Sequence, residues 1–371
     1  MAKTKIAVIF GGKSVEHEIS LISAKNVMDS LNKNKYEIFP VGISKDGDWR
    51  YCQNYQDFII NPDDPKKVSL NPRKAEPTIL ADKKLIRANG SEITNIDVAF
   101  PALHGINGED GTIQGLLKLE SVPFVGAGIL GSAVGMDKDV MKRLLRDAGI
   151  PIPKFMTFRF SDQTDFEEIK TKLNLPVFIK PANSGSSIGI NKAHTQEELE
   201  KFIAEAFKHD SKIVVEEMIK GREIEISILG NEDLSASLPG EVIPHHEFYD
   251  YEAKYIDENG ASFEIPAKLP EDQIKLIQET AIKAFKTLCC EGMARVDGFL
   301  TAEGKFFINE INTIPGFTKI SMYPKLWEAS GLPYPKLLDR LIELAIERFE
   351  REQKIQTNYR DLSNENNFHN K

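Results

Sequence analysis

The chain opens with an apolar run, residues 6–10, that stops at Gly11-Gly12. Residues 20–31 then place Leu21, Ala24, Val27, Met28 and Leu31 at helical spacing. This pattern predicts a strand, a glycine loop and a helix. Apolar runs at residues 96–103 and 122–125 predict two more strands of an open α/β sheet, whose carboxyl ends are where ligand crevices form. Between them, residues 45–95 are polar and broken by Asn-Pro and Asp-Pro pairs, which reads as a peripheral insertion.

The run Gly149-Ile-Pro-Ile-Pro153 suits a linker, because each proline pushes its predecessor out of helical geometry. Beyond it the pattern predicts strands at residues 177–180, 213–217 and 224–229, a long loop over 241–266 and a helix over 270–288. Two further strands follow at 293–300 and 305–312. The expected division is an N-terminal α/β domain (1–137), a central domain (138–229), a C-terminal domain (230–350) and a polar tail (351–371). The fold class is α/β, α+β in parts, and 371 residues suffice for three cores at roughly 50–200 residues per domain.

Charge narrows the function. Lys plus Arg (47) against Asp plus Glu (56) leaves a net charge of -9, with no basic stripe for nucleic acid. No apolar run reaches the length of a membrane span, and the apolar part of the N-terminus is too short for a signal peptide. Cys52, Cys289 and Cys290 lack CxxC spacing and read as reduced thiols, so a cytoplasmic protein without membrane or nucleic-acid partners is expected.

The last two predicted strands carry the sharpest chemistry. Arg295 and Asp297 are two apart on one, Glu310 and Asn312 two apart on the next, so each pair shares a face. A turn centred on Glu303-Gly304 would set Asp297 opposite Glu310 and Arg295 opposite Asn312. Two carboxylates roughly 5 Å apart repel unless a cation lies between them, and two acids plus an amide suit magnesium. Residues 180–189, Lys180-Pro-Ala-Asn-Ser-Gly-Ser-Ser-Ile-Gly189, supply a lysine followed by glycines and hydroxyls able to fold over phosphates.

Two other phosphate patterns are weaker. Gly12-Lys13-Ser14 lacks the glycine that a P-loop needs five residues earlier, where Ala7 stands. Gly126-Ala-Gly-Ile-Leu-Gly131 matches GxGxxG and keeps a nicotinamide-dependent dehydrogenase as a competing class, although no prompt parallel strand follows. A non-catalytic nucleotide-binding module is the third class.

The segments Ala294-Arg-Val-Asp297 and Asn309-Glu-Ile-Asn-Thr-Ile-Pro-Gly316 resemble the signature of the ATP-grasp ligases, and among them the D-alanine:D-alanine ligase family. The resemblance runs to about residue 348, insertion and tail apart. It implies a three-domain fold with ATP sandwiched between two α+β domains, two Mg2+ ions with Mn2+ able to substitute, and a homodimer. The implied reaction joins two D-alanine molecules through a D-alanyl phosphate for peptidoglycan synthesis. Related D-alanine:D-lactate and D-alanine:D-serine ligases are the alternatives.

By the same resemblance, Asp297, Glu310 and Asn312 bind metal, and Lys138, Lys180 and Lys254 contact phosphates beneath the loop containing Ser187. Glu216, Glu217, Ile219 and Glu223 line the adenine and ribose pocket. Glu16, which alone would read as a helix-start acid, holds the first D-alanine's ammonium, and His104 approaches that substrate. Tyr255, in the aromatic stretch Phe248-Tyr-Asp-Tyr-Glu-Ala-Lys-Tyr255, joins Ser186 and Glu16 in a network. Ser321 and Met322 receive the second D-alanine's carboxylate, while Arg295 and the Gly316 N–H stabilise the oxyanion. One departure is Cys289-Cys290, where a glycine commonly precedes a single cysteine; both are expected to pack beneath the hairpin.

Overall fold

The computed structural model describes residues 2–186, 188–245 and 260–355. β1 (Thr4–Gly11), α1 (His17–Ser30) and β2 (Tyr36–Ile43) form a parallel unit. Ile6, Val8 and Phe10 share a core with Leu21, Ala24, Val27 and Met28 of α1, while Ala7 and Ile9 join a second core on the opposite face. Burial on both faces is why this strand is continuously apolar rather than alternating.

Next come β3 (Trp49–Tyr51), α2 (Tyr55–Phe58), the two-residue strands β4 (Ile59–Ile60) and β5 (Ser69–Leu70), β6 (Glu76–Ala81), β7 (Lys84–Arg87), β8 (Glu92–Asn95) and β9 (Val98–Ala102). The first sheet runs β8-β7-β6-β3-β2-β1-β9, with β9 parallel to β1. Residues 45–95, expected as a peripheral insertion, extend this sheet at its outer edge with antiparallel strands β3 and β6 to β8, while β4 and β5 pair as a two-stranded sheet of their own. Their polarity reflects one wet face: in β6, Thr78 and Leu80 are buried and Pro77 and Ile79 exposed. The strand expected at residues 122–125 shrinks to a single parallel bridge between Ala99 and Phe124, since Pro123 has no N–H to extend the ladder.

Three helices, α3 (Thr112–Leu119), α4 (Ile129–Met136) and α5 (Lys138–Asp147), lead to β10 (Phe155–Arg159), α6 (Phe166–Leu173), β11 (Val177–Pro181), β12 (Asn191–Ala193), α7 (Gln196–Ala206) and β13 (Lys212–Glu217). The four strands form a separate antiparallel sheet, β10-β13-β11-β12. The glycine pattern at residues 126–131 thus lacks the crossover to a parallel strand that dinucleotide binding requires.

β14 (Arg222–Gly230), β15 (Ser235–Ala236), β16 (Gly240–Pro244), β17 (Ala261–Glu264), α8 (Glu271–Thr287), β18 (Gly292–Leu300) and β19 (Phe306–Asn312) build the third sheet, ordered β17-β16-β14-β18-β19 with β15 on β14. β14 was expected to close the central domain; it pairs with β18 along its full length and belongs here. At the other limit, Met141 and Leu145 of α5 pack with Ile226, Val296 and Phe285 in this sheet's core. The central unit is accordingly the sheet from β10 to β13. The loop expected over 241–266 has paired ends, β16 with β17, and the rest of it, residues 246–259, lies outside the described residues.

α9 (Met322–Ala329) and α10 (Tyr334–Gln353) complete the fold. Leu337, Leu338, Leu341 and Ile342 of α10 pack into the first sheet's core, and buried Arg348 donates to the carbonyls of Gly126 (2.6 Å) and Phe124 (2.7 Å). The C-terminal helix thereby ties the third unit to the first. Residues 356–371 of the expected tail lie outside the described residues, among which no helix is long and apolar enough to cross a membrane.

The cysteines separate. Cys290 is buried in the third sheet's core, but Cys289 is exposed at φ 55°, which corrects the expectation that both pack beneath the hairpin. After α8 the Cys289 N–H bonds the Lys286 carbonyl (3.1 Å) and the Cys290 N–H that of Phe285 (3.0 Å), a helix stop that places Cys289 in left-handed backbone. Replacing it by glycine relieves the Cβ clash, so Cys289→Gly is expected to raise the unfolding free energy by about 0.5–1 kcal/mol, and Cys289→Val to lower it. Urea melts of the three proteins check this.

Candidate active site

β14, β18 and β19 are paired so that Glu225, Asp297 and Glu310 stand in one row and Ser227, Arg295 and Asn312 in the next. Alternation sets the face: Ile224, Ile226, Ile228, Ala294 and Val296 point into the apolar core, leaving the polar set on the other side. A bulge refines the pairing. Asp297 opposes Glu310 but Gly298 opposes Ile308, so Asn309 is the extra residue. It also explains how Ile308 and Ile311, three apart, can both enter the core.

Arg295 donates from Nε to Asp297 Oδ1 and from Nη2 to Asp297 Oδ2, each at 2.7 Å, and its Nε also lies 2.9 Å from Glu225 Oε2. The guanidinium is planar and always charged, so it pairs with both buried acids at once. Glu310 Oε2 is 3.8 Å from Lys138 Nζ. Asn312 Oδ1 is buried with no hydrogen-bond partner among the described residues. An orphaned buried carbonyl costs about 1–3 kcal/mol unless a ligand takes it up, and two carboxylates with that oxygen match the hard-oxygen set of Mg2+.

Glu225, Arg295, Glu310, Asn312 and Lys138 line a cleft of about 1030 Å³, open solvent at its mouth included, with Asp297 buried behind them; Glu16, His104 and the residue 184–186 loop close its other side. Glu16 stands at the start of α1, 5% exposed, and accepts a short hydrogen bond from Ser186 Oγ. Glycines make room for its carboxylate: a Cβ on Gly105 would come within 2.6 Å of Glu16 Oε2, and one on Gly185 within 2.9 Å. Gly316 similarly leaves space for Ser321 Oγ, 2.7 Å from where its Cβ would stand. Ser321 Oγ accepts from the Thr318 N–H (2.9 Å) and pairs with Thr318 Oγ1 (2.8 Å). Met322 borders the cleft, but its side chain packs with Val242 and Leu326.

His104 is fully enclosed, with Nε2 2.9 Å from Ser23 Oγ and Nδ1 3.2 Å from the Ile314 carbonyl and 3.8 Å from Glu109 Oε1. Burial lowers the imidazole's pKa, but the Glu109 carboxylate, with Glu16 behind it, more than reverses this and holds it above the usual value.

Of the residues expected at phosphates, Lys138 Nζ donates to the Ser184 carbonyl (2.6 Å) at the cleft. Lys180 is instead engaged in a buried cluster, its Nζ 2.9 Å from both Glu216 Oε2 and Asn309 Oδ1. Glu216, expected to face a nucleotide base, is 2% exposed, and its other oxygen meets Lys142 Nζ at 3.2 Å. Glu217 accepts from the Lys154 N–H (2.7 Å), which occupies its carboxylate locally. Glu223 and Ile219 are half-buried at the start of β14 and in the turn before it. Ser187, Lys254 and Tyr255 lie outside the described residues.

Sequence reasoning passed over Lys142, Glu225, Glu109 and Asn309. Two had a signal. Lys138, Met141, Lys142 and Leu145 follow the i, i+3, i+4, i+7 stripe that α5 buries, and Glu225 and Ser227 alternate with three isoleucines. Glu109 and Asn309 act through a loop and a bulge, which have no period.

Two family models match the chain, "D-ala D-ala ligase N-terminus" over residues 5–127 and "D-ala D-ala ligase C-terminus" over residues 144–343. A D-alanine–D-alanine ligase of Oceanobacillus iheyensis is 50% identical over 365 residues, 97% of this chain and 100% of that one. Among solved structures, the D-alanine-D-alanine ligase from Coxiella burnetii superposes with a TM-score of 0.85 at 42% identity, covering 95% of this chain and 97% of that one. The Bacillus anthracis enzyme complexed with ATP superposes at 0.73 and 30% identity, covering 95% and 100%.

The His104 pair carries a pH signature. A folded-state pKa above the unfolded value of about 6.5 contributes stability that is complete below that value and is lost as pH rises through the folded one. Unfolding free energy measured across that window is expected to decline with pH, and Glu109→Gln to flatten the decline.

Proposed function

The chain belongs to the D-alanine–D-alanine ligase family, and from that premise we propose how its residues divide the work. The protein is an enzyme that uses ATP to join two D-alanine molecules into D-alanyl-D-alanine for cell-wall synthesis. The observation that carries the assignment of roles is the row of acids ending at Glu310, flanked by the unpartnered Asn312 carbonyl and Lys138, facing the Glu16–Ser186 pair across one cleft.

Asp297, Glu310 and Asn312 are the residues that would hold Mg2+, two ions in this reading with Mn2+ able to replace them. When bound, the metal neutralises charge on the nucleotide phosphates and draws them into line. Lys138, Lys180 and Lys254 add positive charge along the same phosphates, and the loop carrying Ser187 covers them. Glu217, Ile219 and Glu223 border the nucleoside, while the Glu216 carboxylate is held by Lys142 and Lys180.

Glu16 binds the first D-alanine's ammonium, with His104 and Glu109 behind it. An oxygen of the first D-alanine's own carboxylate attacks the γ-phosphorus of ATP, ADP leaves, and a D-alanyl phosphate results. The second D-alanine's carboxylate rests against Ser321 and the Met322 backbone, which presents its amine to the acyl carbon. The amine loses its proton through the Glu16, Ser186 and Tyr255 network and attacks the carbonyl. Arg295 and the Gly316 N–H receive the oxyanion, and phosphate departs as the peptide bond forms. Exclusion of water protects the acyl phosphate from hydrolysis. We also assign the enzyme to the cytoplasm and read it as a homodimer.

Phosphate release from ATP with D-alanine, and the product's mass, test this reading. D-alanyl-D-alanine is the expected product; D-lactate or D-serine as the preferred second substrate would reassign the Ser321 end, and no D-alanine-dependent release would remove the ligase. Glu310→Gln is expected to cut turnover by on the order of 100-fold or more without loss of fold, and chelation of divalent cations to stop it. Circular dichroism alongside the assay separates lost chemistry from lost structure.

A further inference from the structure

Beneath the cleft, four groups close a ring in which Lys142 and Asn309 have no part in the reaction as described. Lys142 Nζ lies 3.2 Å from Glu216 Oε1 and 3.3 Å from the Asn309 carbonyl, while Lys180 Nζ lies 2.9 Å from Glu216 Oε2 and 2.9 Å from Asn309 Oδ1. Each ammonium therefore takes one oxygen from the same carboxylate and one from the same asparagine. Lys142 is completely buried and Glu216 2% exposed. The ring joins α5, β11, β13 and the bulge of β19, elements drawn from the second and third of the larger sheets and the helix before them.

Charge counting gives the ring a purpose. Lys180 paired with Glu216 alone would be neutral and would offer little to an approaching anion. With Lys142 on the other carboxylate oxygen, the trio carries one net positive charge at a site screened from water, where it counts most. Asn309 adds only neutral acceptors, and its place in the bulge couples the ring to Glu310 one residue on. Burial pushes Lys142 down to about 8, although Glu216 opposes the shift; burial likewise raises the Glu216 carboxyl, but the two ammoniums more than reverse this and hold it below its usual range.

We infer that Lys142 is a positioning residue for ATP: it acts as the standing counter-ion of Glu216 and so leaves the charge of Lys180 available to a nucleotide phosphate. The inference rests on the reading that Lys180 faces that phosphate. It differs from plain cavity filling, because a neutral side chain of the same shape would preserve packing and still lose the effect. It also predicts coupling: once Glu216 loses its charge, Lys142 has nothing left to neutralise.

A double-mutant cycle on the full chain decides the matter. Calorimetric titration with ATP in the absence of D-alanine, on wild type, Lys142→Met, Glu216→Gln and the double variant, gives the four affinities. Lys142→Met is expected to weaken ATP binding about tenfold in the wild-type background and less than about twofold in the Glu216→Gln background. The KM for D-alanine should stay within about twofold, since the ring lies away from Glu16 and Ser321. Equal losses in both backgrounds, or unchanged ATP affinity in Lys142→Met, overturn the inference, as does a matched rise in the D-alanine KM. Should Lys142→Met not fold, Lys142→Gln takes its place in the cycle under the same criteria. A wild type that binds ATP but releases no phosphate with D-alanine would sink the ligase reading alone, because the cycle reads binding.

Discussion

The pairing of β14, β18 and β19 carries Glu225, Asp297 and Glu310 in one row and Ser227, Arg295 and Asn312 in the next, above a layer of isoleucine, alanine and valine. A slip of one residue in either ladder would send the charged row into that apolar layer and the isoleucines into water. Burying even one of these charges unpaired costs several kcal/mol, so the register is held by the whole hydrophobic face, and the metal-binding reading inherits its geometry from packing. Without the bulge at Asn309 the ladder could not satisfy both Ile308 in the core and Glu310 in the site.

Compensation of charge is local and arranged in small closed sets. Arg295 serves Asp297 and Glu225 together, and Lys142 with Lys180 serves Glu216. Lys138 and Lys142, one turn apart on α5, deliver one ammonium to the cleft and one beneath it. The same helix buries Met141 and Leu145 in the third sheet's core, so apolar packing fixes the height of both lysines. Asn312 Oδ1 stands outside these sets, buried with no hydrogen-bond partner among the described residues.

The cleft needs all three units. Glu16 and His104 come from the first, the loop through Ser186 from the second, and the acidic rows with Ser321 from the third. Their relative placement depends on α10, whose leucines complete the first sheet's core and whose Arg348 reaches back to the Phe124 and Gly126 carbonyls. A helix coded at the end of the chain thus holds the substrate loops of its beginning against the hairpin, through contacts more than 200 residues apart in sequence.

Local period was enough to read much of this from residues alone: β1 with its helix, the hairpin of β18 and β19, and the facing of Asp297 with Glu310. Alternation and helical spacing depend only on neighbours along the chain, and the family motif around residues 309–316 named the chemistry that those neighbours serve. Tertiary structure decided the rest. It assigned β14 to the third sheet and so brought Glu225 beside Arg295, drew residues 45–95 into the first sheet, and gave Lys142 the partner Glu216. It also split Cys289 from Cys290 through a left-handed helix stop. Each of these depends on which strand meets which, or on where one buried charge finds another, and no periodicity within a segment records a partner that lies tens or hundreds of residues away.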